Sequence, residues 1–159
     1  MISTFQLPMP PSINHYYGHC VTRDKKPRIY IMPKGLWYRQ QVYFLTANKI
    51  KKLDNPFWDV PLYAYIKFFP RYTGRDIDNP LKCLFDALTK NHIWKDDKQV
   101  KKLFICWHDK SCSKNNLEIS ICNDKSEYYR FLLDKIMEDE DAIIQPYITE
   151  KMRIKQDAV

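Results

Sequence analysis

The sequence predicts an α+β domain, a sheet with helices packed on it, followed by one extra C-terminal helix. Three observations lead there. Period-two runs at Val60–Phe69 and Leu117–Cys122 mark strands, and Val100–His108 reads as another. Helical spacing over 34–50 and from Leu81 to Leu88 places helices among them. A further amphipathic stretch, of opposite net charge, begins after residue 123.

The chain has 159 residues, enough for one domain with its own core, or one domain with an appendage. Only three glycines are present, and no Walker-type or dinucleotide-type glycine pattern occurs. No apolar run is long enough to span a bilayer, and the first residues lack the basic and apolar segments of a signal peptide. The five cysteines, with no Cys-x-x-Cys pair, read as reduced, mostly buried thiols of a cytoplasmic protein. Charge is uneven: residues 1–123 hold 20 Lys+Arg against 10 Asp+Glu, and residues 124–159 hold 6 against 9. The first part is therefore the candidate polyanion binder, and the division falls at 123/124.

In order, Thr4–Leu7 forms a short strand ended by Pro8, Pro10 and Pro11. Ser12–Tyr17 reads as an ordered loop and Arg28–Met32 as a brief strand, with basic residues between them. Pro33 suits the first turn of a helix whose apolar positions are Leu36, Trp37, Val42, Leu45 and Ile50. Val60–Phe69 turns Leu62, Ala64, Ile66 and Phe68 to one face. Asp78 is the expected N-cap of a central helix that buries Leu81, Leu84, Phe85 and Leu88 and ends near Asn91. Asp78, Lys82 and Asp86 form a polar stripe along it. Trp94-Lys95-Asp96-Asp97 is a turn before the last two strands. Ser126 is the expected cap of the final helix, from Glu127 to about Glu140.

Acids gathered in a basic chain repel one another unless a cation resolves them, which makes the set a metal-site hypothesis. Asp76 and Asp78 can address one point, and Asp96-Asp97 follows the helix. Mg²⁺ takes such oxygen ligands and serves phosphodiester hydrolysis. The alternative gives each acid a local task. Asp78 caps its helix, Asp76 pairs with Arg75 or Arg71, and Asp96 and Asp97 are turn residues. Lys82 either stabilises negative charge on a substrate phosphate or pairs with Asp86. Spacing leaves both readings open.

The blocks Arg75-Asp76-Ile77-Asp78-Asn79-Pro80-Leu81-Lys82, Phe85–Lys90 and Trp94–Val100, together with Pro10-Pro11-Ser12-Ile13-Asn14 and Tyr16-Tyr17, resemble the RusA family of Holliday junction resolvases over roughly residues 1–122. The resemblance implies a RusA-like mixed sheet with helices packed on it over 1–123; the residues beyond it, 124–159, read as a C-terminal helical extension with a mobile tail. It implies a homodimeric, Mg²⁺-dependent endodeoxyribonuclease, with Mn²⁺ expected to substitute, that cuts four-way DNA junctions by paired nicks. By motif position Asp76, Asp78 and Asp97 correspond to the catalytic metal-binding carboxylates and Lys82 to the catalytic lysine. Asp96 stands beside them as a further candidate ligand. Pro80 is a departure at the helix start.

Candidate DNA contacts are Arg23, Lys25, Lys26, Arg28, Arg71, Arg75, Lys101 and Lys102. Tyr16, Tyr17 or Tyr72 can stack on exposed bases or simply pack. The competing functions are a nonenzymatic branched-DNA-binding protein and a nuclease for flaps and forks. No membrane partner is expected.

Overall fold

The computed structural model describes residues 1–52, 55–72, 76, 78–108 and 113–138, with backbone only at 51 and 52. Arg75, Cys112 and the tail from 139 onward lie outside the described residues, so the expectations placed on them have no structural counterpart.

The chain runs β1 (Ile2–Pro8), α1 (Ile13–Tyr16), β2 (Tyr17–Val21), β3 (Pro27–Ile31), α2 (Pro33–Lys52), β4 (Leu62–Phe69), α3 (Leu81–Lys90), a 3₁₀ turn (Asp97–Gln99), β5 (Val100–Trp107), β6 (Asn116–Cys122) and α4 (Lys125–Glu138). Strands β1-β6-β4-β5 form one mixed sheet, with β4 and β5 parallel and the other pairs antiparallel. β2 and β3 form a separate antiparallel hairpin. The α+β expectation holds, and the C-terminal helix is present.

β4 is central, and its composition explains why. Leu62, Ala64, Ile66 and Phe68 are fully buried on one face, in a core shared with Phe5, Leu7, Leu84, Leu88, Leu117 and Ile119. Tyr65 points to the other face and is buried as well. α4 covers that second face. Tyr128 donates its hydroxyl to the Ala64 carbonyl at 3.0 Å, and Phe131 meets Tyr65 edge-on with ring centres 5.8 Å apart. The extension thus covers a sheet face rather than an edge.

α1 takes the place of most of the expected loop Ser12–Tyr17, β3 lies where the brief strand Arg28–Met32 was expected, and β2, its hairpin partner, was not expected. Its residues are largely exposed on both sides, so no alternation betrayed it. The final helix begins at Lys125, one residue before its expected cap Ser126, because Asp124 Oδ1 accepts the Glu127 N–H at 2.7 Å and does the capping. In α2 the buried stripe is Tyr38, Val42 and Thr46, whereas Leu36, Trp37 and Leu45 are exposed. Thr46 tolerates burial by donating its hydroxyl to the Val42 carbonyl at 2.8 Å. The described cysteines are free thiols: Cys83 and Cys122 buried, Cys106 half-buried and Cys20 exposed. No helix among the described residues is long and apolar enough to cross a membrane.

Candidate functional site

β4 delivers the chain to the acidic segment, and α3 carries it away again. Between them Asp78, Asn79 and Pro80 make a tight turn in which the Asp78 carbonyl accepts the Leu81 N–H at 3.0 Å. α3 starts at Leu81, after Pro80 in a helical conformation with φ −78° and ψ −18°, and no side chain caps it there. The expected N-cap role of Asp78 is therefore corrected. Its main chain satisfies the helix start, because proline already holds the helical φ and has no N–H to satisfy. The carboxylate is left outside the capping arrangement. Asp76 and Asp78 are both exposed, and neither carboxylate is hydrogen-bonded or ion-paired among the described residues. Arg71 does not pair with Asp76, since its guanidinium lies over the Tyr72 ring, 5.5 Å from the centroid.

Asn79 does what spacing alone did not reveal. Its Oδ1 accepts the Ile13 N–H at 3.0 Å, which ties the Pro10–Asn14 segment to the acidic turn. Two sequence blocks separated by more than sixty positions thus become one wall.

Along α3, Lys82 Nζ donates to Asp86 Oδ1 at 2.7 Å. Lys82 is half-exposed while Asp86 is mostly buried, its side chain 19% accessible. Burial pushes the Asp86 carboxyl above its usual range, and the negative charge of Asp97 adds to the rise. Asp97 therefore faces the Asp86 side of α3. Beneath lies Tyr16, which accepts a hydrogen bond from Arg39 Nε at 2.5 Å. Tyr16 is fully buried and cannot stack on DNA. Tyr17 is half-buried against it, and Tyr72 is exposed.

The turn after α3 is held from below by Trp94, fully buried, whose indole N–H donates to Thr89 Oγ1 at 2.7 Å and whose ring meets Phe85 edge-on. Gln99 secures its other side, accepting the Asp96 N–H at 3.0 Å and donating to the Phe57 and Val60 carbonyls at 3.1 and 2.7 Å. Asp96 caps the 3₁₀ turn by accepting the Lys98 N–H at 2.9 Å, and that bond holds its carboxyl below the usual range. It opens onto a different cavity, shared with Asp59, Lys95, Lys98 and Lys101.

Two cavities flank the acidic turn. One of about 730 Å³ has Asp76, Asn79 and Pro80 on one wall and Lys34, Trp37 and Tyr38 of α2 on another. The second, of about 470 Å³, has Lys82 beside Ile13, Asn14 and Tyr17. Asp76 and Asp78 are carboxylates at this site whose side chains have no hydrogen-bond or ion-pair partner among the described residues. Among the described residues, no three His, Cys, Asp or Glu side chains stand close enough together to hold a metal ion. The chain alone thus places Asp97 against Asp86 without gathering it with Asp76 and Asp78 into a ready cluster.

The basic candidates surround this centre unevenly. Arg23, Lys25, Lys26 and Arg28 are exposed on the β2–β3 hairpin. Arg71 is exposed near the larger cavity, its N–H donated to Asn115 Oδ1 at 3.1 Å. Lys101 and Lys102 lie at the start of β5, beside Leu62 and Tyr63, which is the end of β4 away from the acidic turn.

An α+β domain of net charge +7, with exposed carboxylates at a strand–helix junction that have no partner among the described residues, has the general features of a protein that handles polyanions. Comparison with known proteins is more specific. The family described as Endodeoxyribonuclease RusA matches residues 8–122. The crossover junction endodeoxyribonuclease RusA of Escherichia coli K12 is 38% identical over 99 residues, which span 59% of this chain and 72% of that protein. Those of Enterobacteria phage 82 and Shigella sonnei are 38% and 36% identical over the same shares. The chain belongs to the endodeoxyribonuclease RusA family, a family of nucleases.

Proposed function

We propose that this protein is a Mg²⁺-dependent endodeoxyribonuclease that resolves four-way DNA junctions in the cytoplasm, as a homodimer making paired symmetric nicks. The observation that carries the reading is the exposed pair Asp76 and Asp78 at the start of α3, without side-chain partners among the described residues and with Asp78 one helical turn from Lys82, in a chain of this family. Asp76, Asp78 and Asp97 would hold the ion, with Asp96 turned toward other partners. Mg²⁺ supplies charge neutralisation and an activated water for hydrolysis, and Mn²⁺ offers the same oxygen-seeking chemistry. The donor set suits a hard cation, although binding must draw the 76–78 segment and Asp97 together.

The protein's own groups do the rest. Lys82, held at 2.7 Å by Asp86 one helical turn after Asp78, would supply an ammonium for the negative charge that grows on a phosphate under attack. The hairpin cations and Arg71 hold flanking phosphates, with affinity falling as salt rises. A two-fold dimer matches the near two-fold symmetry of a four-way junction and offers one site to each of two opposed strands.

The deciding experiment incubates a labelled synthetic junction with Mg²⁺ and compares the wild type with Asp76→Asn. We expect symmetric nicks from the wild type, poor cutting of linear duplex, and no cutting but retained binding by the variant. Equal cleavage of duplex and junction would remove junction selectivity. The competing reading is a branched-DNA-binding protein without nuclease activity. It predicts no scission with Mg²⁺ or Mn²⁺. A panel of flaps and forks separates the remaining nuclease reading.

A further inference from the structure

We propose that the cavity between α2 and the acidic turn is a nucleobase-binding site, in which a base released from the stack lies against the Trp37 indole. The proposal rests on the branched-DNA reading above and adds to it a ligand class and a contact.

Trp37 is 57% exposed and lines an open cavity of about 730 Å³. That volume is in the range that encloses a whole small-molecule ligand. An indole left this accessible contributes little to the core and presents a flat π-face to whatever enters. Lys34, one helical turn earlier in α2, and Asp76 line the same cavity. A nucleotide entering here would therefore have a cation for its phosphate and a ring for its base, next to the carboxylate at which cleavage is proposed.

The polar groups of the cavity complete the match. Asn79 and Asn115 both line it. Each has its amide oxygen committed, Asn79 to the Ile13 N–H and Asn115 to the Arg71 N–H. That leaves the two amide N–H₂ groups as donors with no acceptor among the described residues. Side-chain donors without acceptors suit a ligand edge rich in carbonyl and ring-nitrogen acceptors, which a nucleobase presents once its pairing is broken. Bases are unpaired and splayed most readily at a strand-exchange point, where the stack is already interrupted.

A two-by-two binding experiment tests this. Full-length wild type and Trp37→Ala are titrated, with Ca²⁺ in place of Mg²⁺, against a four-way junction and against the same junction carrying abasic positions at its centre. A stacked base lost to alanine should weaken binding of the intact junction by about 10-fold, with little difference on the abasic one. Trp37→Phe should restore most of the loss. The same four titrations on a single-stranded oligonucleotide keep the pocket under test if junction selectivity itself fails, so the two failures are distinguishable. Equal weakening on intact and abasic DNA, no weakening on either, or a Trp37→Ala effect that appears only as a change in solution mass would each overturn the proposal.

Discussion

Asp86 is the residue on which the local electrostatics turn. It stands between an ammonium at 2.7 Å and the like charge of Asp97, in a partly desolvated position on α3. Its carboxyl is raised from the ordinary 3.8, first by burial and then by Asp97. A carboxyl held higher in the folded chain than in the unfolded one favours the folded state while it is protonated. That contribution is complete below the unfolded value and is lost as pH climbs through the folded one. Asp86→Asn should thus gain stability relative to wild type between pH 4 and pH 7, in paired thermal melts. The same variant removes the acceptor that directs Lys82, so nicking should slow while junction affinity holds. A slower reaction accompanied by a matching loss of melting temperature would mean that Asp86 merely supports the helix. This residue also shows what sequence spacing can and cannot reveal. The Asp78, Lys82, Asp86 stripe was legible because a helix repeats every three to four positions. The approach of Asp97 was not, because it depends on how Trp94 seats the following turn.

At the scale of elements, the site depends on how closely α1, β3 and α2 meet. Gly35, in the first turn of α2, is the point of contact. A Cβ there would come within 3.0 Å of the Tyr16 carbonyl oxygen and 2.8 Å of Ile31 Cγ2. Helix propensity favours Gly35→Ala by about 1 kcal/mol, but overpacking of this kind costs typically about 1–3 kcal/mol, and a backbone oxygen yields less than a side-chain tip. Net destabilisation is therefore expected in denaturant unfolding. The cavity on the far side of α2 should widen with it, and junction binding should weaken further than stability alone explains. A more stable Gly35→Ala would show that α2 has slack against Tyr16. The helices and the sheet strands were readable because their apolar residues recur at a fixed period. β2 and its pairing with β3 were not, since neither face of the hairpin is consistently buried, although β3 itself matches the brief strand expected at Arg28–Met32. For the same reason Trp37 was placed with the apolar positions of α2: the true stripe runs through Tyr38 and Thr46, two residues with polar tips. The cavity wall of Trp37, Asn79 and Asn115 draws on three separated segments, and only the tertiary fold assembles them.

Across the whole molecule, the sheet has to bury both faces of β4, and the family match at 8–122 supplies helices for only one of them. α4 answers for the other. Tyr128 is its anchor: the ring is buried, close to Tyr63, and its hydroxyl reaches the Ala64 carbonyl at 3.0 Å. Burial drives that hydroxyl up to about 12, so it stays protonated and donating throughout the working range of pH. Tyr128→Phe should lose the hydrogen bond alone, about 0.5–1.5 kcal/mol, while Tyr128→Ala should also open a cavity and cost about 3–5 kcal/mol. Neither change touches the acidic turn, which lies at the end of β4 on the α3 side. Specific nicking per folded molecule should therefore remain at the wild-type level in both variants, measured at a temperature where each is folded. If Tyr128→Ala abolished nicking while still folded, α4 would have to be reassigned from covering the sheet to shaping the active centre or its dimer.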